Sequence, residues 1–185
     1  MMVHREKQRQ FNLLKWLTIA LVLKLVYLDV FPGASYVQHL LIYLAFYKSL
    51  SYHQGPSLAR RYIQLGYILL ILQLLLDGML SHNWLLILTS AIDVLIVYEF
   101  FKIIRVIEED GKQVGSTVRI MKNYMNFSVL VITCWTFLMN VDYSTQMGLV
   151  IIGAVILLCL NVRLLVHIRH MKKQIKSTLH FVTYS

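Results

Sequence analysis

Six apolar runs separated by polar breaks make up most of this 185-residue chain. They extend over Phe11–Phe31, Tyr36–Leu50, Tyr62–Leu80, Asn83–Phe101, Tyr124–Asn140 and Gln146–Val166. Crossing about 30 Å of hydrocarbon at 1.5 Å per residue takes about 20 residues, and five of the runs approach that length. The second, about 15 residues long, has to tilt little or thin the bilayer locally. Polar backbone cannot cross lipid unpaired, and the runs lack the alternation of barrel strands, so the pattern predicts helices. Composition agrees: 58% of residues are hydrophobic and 15% charged, where a soluble domain carries about 25% charged residues. The predicted fold is an all-α polytopic membrane protein of six transmembrane helices.

A net charge of +9 invites a nucleic-acid reading, and its distribution argues against one. With Met1–Gln10 in the cytoplasm, every one of the 18 lysines and arginines except Lys24 falls on the inner side. The outer turns Pro32–Ser35, Ser81–His82 and Val141–Thr145 carry none. This is the positive-inside asymmetry, and it sets both termini in the cytoplasm. The short outer turns make antiparallel neighbours, so the helices read as three hairpins. The inner connections are Ser51–Arg61, with the turn signal Gly55-Pro56 and Ser57 as an N-cap, and a cytoplasmic loop over 102–122. Within that loop the helical spacing continues through Phe100–Asp110, and Ser116 or Thr117 can cap the next helix. Residues 167–185 read as a basic cytoplasmic tail. Gly33-Ala34-Ser35 resembles a signal-peptide cleavage site. Removing the first run would, however, leave five helices starting on the wrong side, so it reads as retained.

Charged groups inside the runs are the candidate site. Lys24 lies roughly 10 Å from the outer end of its helix, Asp93 roughly 15 Å and Asp77 roughly 5 Å, at 1.5 Å per residue. An unpaired ion near the bilayer centre costs about 2.5–3.5 kcal/mol on insertion scales, so Lys24 is expected to meet Asp93, Asp77 or both. Such a cluster is a proton- or ion-responsive site or a pocket for a charged ligand; the structural alternatives are a static pair setting helix register and a Lys24 that snorkels outward to Asp29 and the headgroups. Polar residues recur around it at helical spacing: His39 and Tyr43 on the second helix, Gln73 on the third, Thr89 and Ser90 on the fourth, and Thr133, Thr136 and Asn140 on the fifth. They line a polar cavity or serve as interhelical hydrogen-bond partners.

No nucleotide-binding, thiol-redox or zinc-protease motif occurs, and no paired nucleophile and base. The histidines lie near the two faces rather than facing each other at matched depth, so no metal, haem or other cofactor is expected. Cys134 and Cys159 read as small core residues. Arg163, Arg169, Lys172, Lys173 and Lys176 form a cluster that attracts anionic inner-leaflet lipid, with the alternative that it only determines topology. Nucleic-acid binding lacks an aromatic platform beside the charge. The expected function is therefore that of a non-enzymatic sensory, regulatory or accessory membrane component. Its partner-facing surfaces would be the acidic-then-basic segment Ile107–Lys122 and the basic tail, meeting another membrane protein. The alternative is a small transporter, or the substrate-binding subunit of one, with an intramembrane Lys/Asp pocket.

Overall fold

The computed structural model describes residues 2–26, 34–76, 83–110, 116–137 and 143–183. Six helices follow in order: α1 Met2–Leu25, α2 Ala34–Leu50, α3 Ala59–Leu76, α4 Asn83–Asp110, α5 Ser116–Phe137 and α6 Tyr143–Thr183. No strand occurs among the described residues. By length and composition, α3 and the Gly148–Leu179 part of α6 can cross a membrane. Six spans were expected. At 17 residues α2 is short for one, and Lys15 and Lys24 interrupt α1.

Each helix packs on its neighbour in sequence, and α6 returns to α1. Across this ring α1 also meets α4 in antiparallel register. Lys24 Nζ stands 2.6 Å from Asp93 Oδ2 at one level, and Gln10 Nε2 reaches Asp110 Oδ2 at 3.5 Å at another. The steps between these contacts are about 21 Å along α1 and about 25 Å along α4 at the helical rise, so the two helices run antiparallel and are bridged by long side chains, while α1 packs directly on α2 and α6.

The helix ends follow from local chemistry. The Ser57 hydroxyl accepts the Ala59 amide at 3.1 Å, which is the N-cap the sequence predicts. The α5 N-terminus is capped differently from expectation. Glu108, on the last turn of α4, accepts the Ser116 amide and hydroxyl at 3.1 Å each and the Thr117 amide at 3.2 Å. Backbone donors left open by the first turn are thus satisfied by a carboxylate from the preceding helix, favourably placed against the helix dipole. Thr117 turns its own hydroxyl to His167 Nε2 at 2.8 Å, tying α5 to α6.

Several helix boundaries differ from the runs read in the sequence, with α1 ending at Leu25 rather than Phe31 and α5 starting at Ser116 rather than Tyr124. α1 starts at Met2 rather than near Phe11, and the described part of the basic tail continues α6 to Thr183. The α6 continuation has a packing cause: Ile168, Met171 and Ile175 are buried and carry the three- and four-residue spacing of Leu164 past Val166, so α6 buries an apolar stripe beyond the run that looks like a span. On α1 the buried leucines Leu13, Leu14, Leu17 and Leu21 lie within the run, and the turns before Phe11 reach the bundle through Gln10.

Contacts also sort the helix ends. The first turns of α1, the α2–α3 connection and the C-terminal turn of α4 surround one cavity of about 250 Å³, lined by Glu6, Arg9, Gln10, His53 and Asp110 among others. The α5 start joins them through Glu108. The basic half of α6 joins through Lys172, whose ammonium lies 5.7 Å from the Phe11 ring centroid. At the other end, Gln38 on α2 donates to the Leu23 carbonyl at 2.7 Å and to that of Val26.

The outside of the bundle is apolar over much of its length. Leu41 and Leu44 on α2, Ile68, Ile71 and Leu75 on α3, Val129 and Leu130 on α5, and Ile151, Ile152 and Val155 on α6 are all exposed.

Candidate functional site

The expected meeting of Lys24 with Asp93 is present, and it joins the C-terminal turn of α1 to the middle of α4. The two side chains keep 20% and 9% of their surface exposed, so the carboxylate is almost wholly enclosed. Asp29 and Asp77 lie outside the described residues. The pair is set into packed hydrocarbon: Ala20 and Leu21 precede Lys24 by one turn, and Ile92, Val94, Ile96 and Val97 flank Asp93, all in the core.

Tyr43 stands beside Asp93 and is fully buried. Its ring packs edge-to-face on Tyr67, 5.5 Å between centroids, and lies directly over the backbone of Gly66. Gly66 is needed here for the close approach, because a Cβ would lie 2.7 Å from Tyr43 Cζ. The Tyr43 hydroxyl and Asp93 Oδ1 are both buried; neither meets a partner at full hydrogen-bond geometry, and the phenol and the carboxylate are close enough to interact with each other. Buried polar atoms rarely stay unpaired, and these two belong to neighbouring side chains.

The remaining polar residues of the sequence reading divide into two groups. Gln73 and Thr89 are buried, and the Gln73 amide donates to the Thr89 hydroxyl at 3.1 Å while that hydroxyl donates to the Leu85 carbonyl at 2.8 Å. They form an α3–α4 link. Ser90, on the same turn, is half-buried. His39 is half-buried and its Nδ1 lies 2.8 Å from the Ser35 carbonyl oxygen of its own helix. Thr133 and Thr136 face outward, and the Thr136 hydroxyl donates to the Ile132 carbonyl at 2.8 Å. The α5 stripe is thus not gathered around the charges: a threonine satisfied by its own helix can face an apolar surroundings. Asn140 lies outside the described residues. Cys134 and Cys159 are free and exposed, which corrects their reading as core residues.

Several polar residues escaped the sequence reading. Glu99 falls inside an apolar run, is buried, and pairs with Lys102 one turn on. Gln38 is buried near the start of α2. The Ser49 hydroxyl donates to the Leu13 carbonyl at 2.8 Å in full burial. Asn161 accepts from the Tyr124 hydroxyl at 3.3 Å, joining α5 to α6. Their common signal is a polar side chain within an apolar run, the criterion that selected Lys24 and Asp93. Glu108 escaped because it sits in an acidic triplet that reads as solvated; it is buried.

The basic cluster has its own geometry. Arg169, Lys172, Lys173 and Lys176 line an open groove of about 540 Å³ with Phe11 and Val166. Arg163 is exposed one turn before Val166. Among the described residues no three His, Cys, Asp or Glu side chains gather closely enough to hold a metal ion. No protein-family model, curated protein or solved structure matches the chain.

Proposed function

We propose that this chain is a six-span integral membrane protein with both termini in the cytoplasm. It acts as a non-enzymatic sensory, regulatory or accessory component, and its intramembrane Lys24–Asp93 pair holds α1 and α4 in register. The observation that carries the membrane reading is the outer apolar surface. Ile68, Ile71 and Leu75 on α3 and Ile151, Ile152 and Val155 on α6 each leave more than half of their surface open. Soluble monomers rarely expose contiguous apolar patches beyond a few hundred Å², and lipid is the solvent that makes such a surface favourable. A structural role for the pair is supported by its enclosure in packed hydrocarbon. The two cavities described above are lined by neither Lys24 nor Asp93.

Topology is tested with single cysteines at positions 110 and 176 in a Cys134→Ser/Cys159→Ser background. Neither is labelled by a membrane-impermeant maleimide added to intact cells, and both are labelled after permeabilisation. Labelling of either in intact cells overturns the arrangement. Purification at native expression tests the role: another membrane protein retained in fixed stoichiometry supports the accessory reading. A lone bundle carrying a bound small molecule supports the second reading, a small transporter or its substrate-binding subunit. That reading is favoured by one observation, the Tyr43 hydroxyl and the Asp93 carboxylate buried beside each other inside the bundle.

A further inference from the structure

One face of α6 changes character abruptly. Val155, Leu158, Val162 and Val166 follow at three- and four-residue spacing and are all exposed, Val166 at 62%. The same face then continues as Arg169, Lys173 and Lys176, also exposed. Residues so spaced share one side of a helix, so an apolar strip about 17 Å long at the helical rise runs directly into a cationic one. The junction is the groove between α1 and α6.

Lys172 forms the floor of that groove. It is half-buried, and its ammonium lies over the Phe11 ring. The groove's cations differ from those on α4. There Lys102 pairs with Glu99 and Arg105 with Glu109, whereas none of Arg169, Lys172, Lys173 or Lys176 is in an ion pair among the described residues. Like charges held this close without counter-charge repel one another, and an anion between them relieves the repulsion.

We propose that the α1–α6 groove is a binding site for a phosphate group carried by an anionic phospholipid. The phosphate sits among Arg169, Lys172, Lys173 and Lys176, and an acyl chain lies along Val166, Val162, Leu158 and Val155. Lysine and arginine donate charge-assisted hydrogen bonds to phosphate oxygens. Several cations in one groove favour a headgroup with two negative charges, such as the phosphomonoester of phosphatidic acid, over a singly charged diester. The proposal rests on the membrane reading above and adds a lipid preference to it.

The test uses the full chain reconstituted in phosphatidylcholine vesicles doped with spin-labelled phosphatidic acid, phosphatidylglycerol or phosphatidylcholine. Phosphatidic acid is expected to be motionally restricted at the protein in excess of the other two. Lys172→Gln and Lys173→Gln each lower that preference about fivefold, as the loss of one near-surface cation predicts, while Lys102→Gln and Arg105→Gln leave it unchanged. Circular dichroism checks that all variants remain helical. Inorganic phosphate distinguishes the source of the group: a lipid site keeps its preference at millimolar phosphate. Displacement by inorganic phosphate, with no preference among the lipids, overturns the lipid assignment in favour of a soluble phosphate. Equal restriction of all three lipids with no effect of phosphate, or an equal effect of the α4 variants, overturns the site altogether. Failure of the wild-type chain to reconstitute is a separate outcome and overturns the membrane reading on which the site depends.

Discussion

The phenol ring of Tyr43 closes against the backbone of Gly66, leaving no room between α2 and α3 for even a methyl group. Tyr43 cannot swing aside, being fully buried between Tyr67 and the Asp93 level. Gly66→Ala therefore sets two effects against each other. Helix propensity favours alanine by about 1 kcal/mol, and overpacking a fixed core costs about 1–3 kcal/mol. Net destabilisation is expected, read as a lower midpoint of thermal unfolding in detergent. In a Tyr43→Leu background the same substitution becomes neutral or stabilising. An unchanged effect there would show that the ring is not what requires glycine.

Removing one partner of a buried ion pair strands the other charge, at a cost of about 3–5 kcal/mol. Lys24→Met and Asp93→Leu are each expected to reduce the yield of folded protein sharply. The double variant Lys24→Met/Asp93→Leu recovers most of it, because replacing both charges with apolar groups removes the desolvation penalty together with the attraction. Additive losses in the double variant would mean that the two residues contribute independently. If both single variants left stability and phenotype untouched, pair and pocket would fall together.

Glu108 is expected to hold the α4–α5 corner. Its carboxylate takes three donors from Ser116 and Thr117, and hydrogen bonds to a charged group contribute about 1.5–3 kcal/mol. Glu108→Ala lowers stability by an amount in that range and exposes the Ser116 and Thr117 amides to hydrogen exchange. Glu108→Gln, which keeps an acceptor oxygen, loses less. Unchanged exchange at both amides in the alanine variant would refute the cap.

The sequence made the helix count legible because hydrophobic runs of this length have few other uses, and Lys24 with Asp93 legible because isolated ions in such runs need partners. Register along α1 and α4 was not. It depends on which turn of one helix faces which turn of the other, as the Gln10–Asp110 contact does. The helical continuation of α6 was masked by its charges: Ile168, Met171 and Ile175 are a sparse apolar stripe among Arg169, Lys172, Lys173 and Lys176. Outward-facing Thr133 and Thr136 were indistinguishable from cavity lining, since spacing gives a shared face but not its direction.

His53 supplies a pH test at the end of the bundle where the charged segments meet. It lies in the α2–α3 connection, half-buried over Gly55, in the cavity also lined by Glu6, Arg9 and Asp110. Burial holds its imidazole below the ordinary histidine pKa of 6.5. The folded chain therefore binds fewer protons at this site than the unfolded chain once pH falls below that value, so acidification favours unfolding. The His53 contribution to stability is complete above pH 6.5. It declines as pH falls from there towards the lowered folded-state pKa, and changes no further below it. His53→Gln keeps a polar side chain but cannot titrate. It is expected to flatten this part of the stability profile, measured as the thermal midpoint of the detergent-solubilised protein at stepped pH. Wild-type and variant curves that run parallel through the same window would place His53 in solvent rather than in the cavity wall.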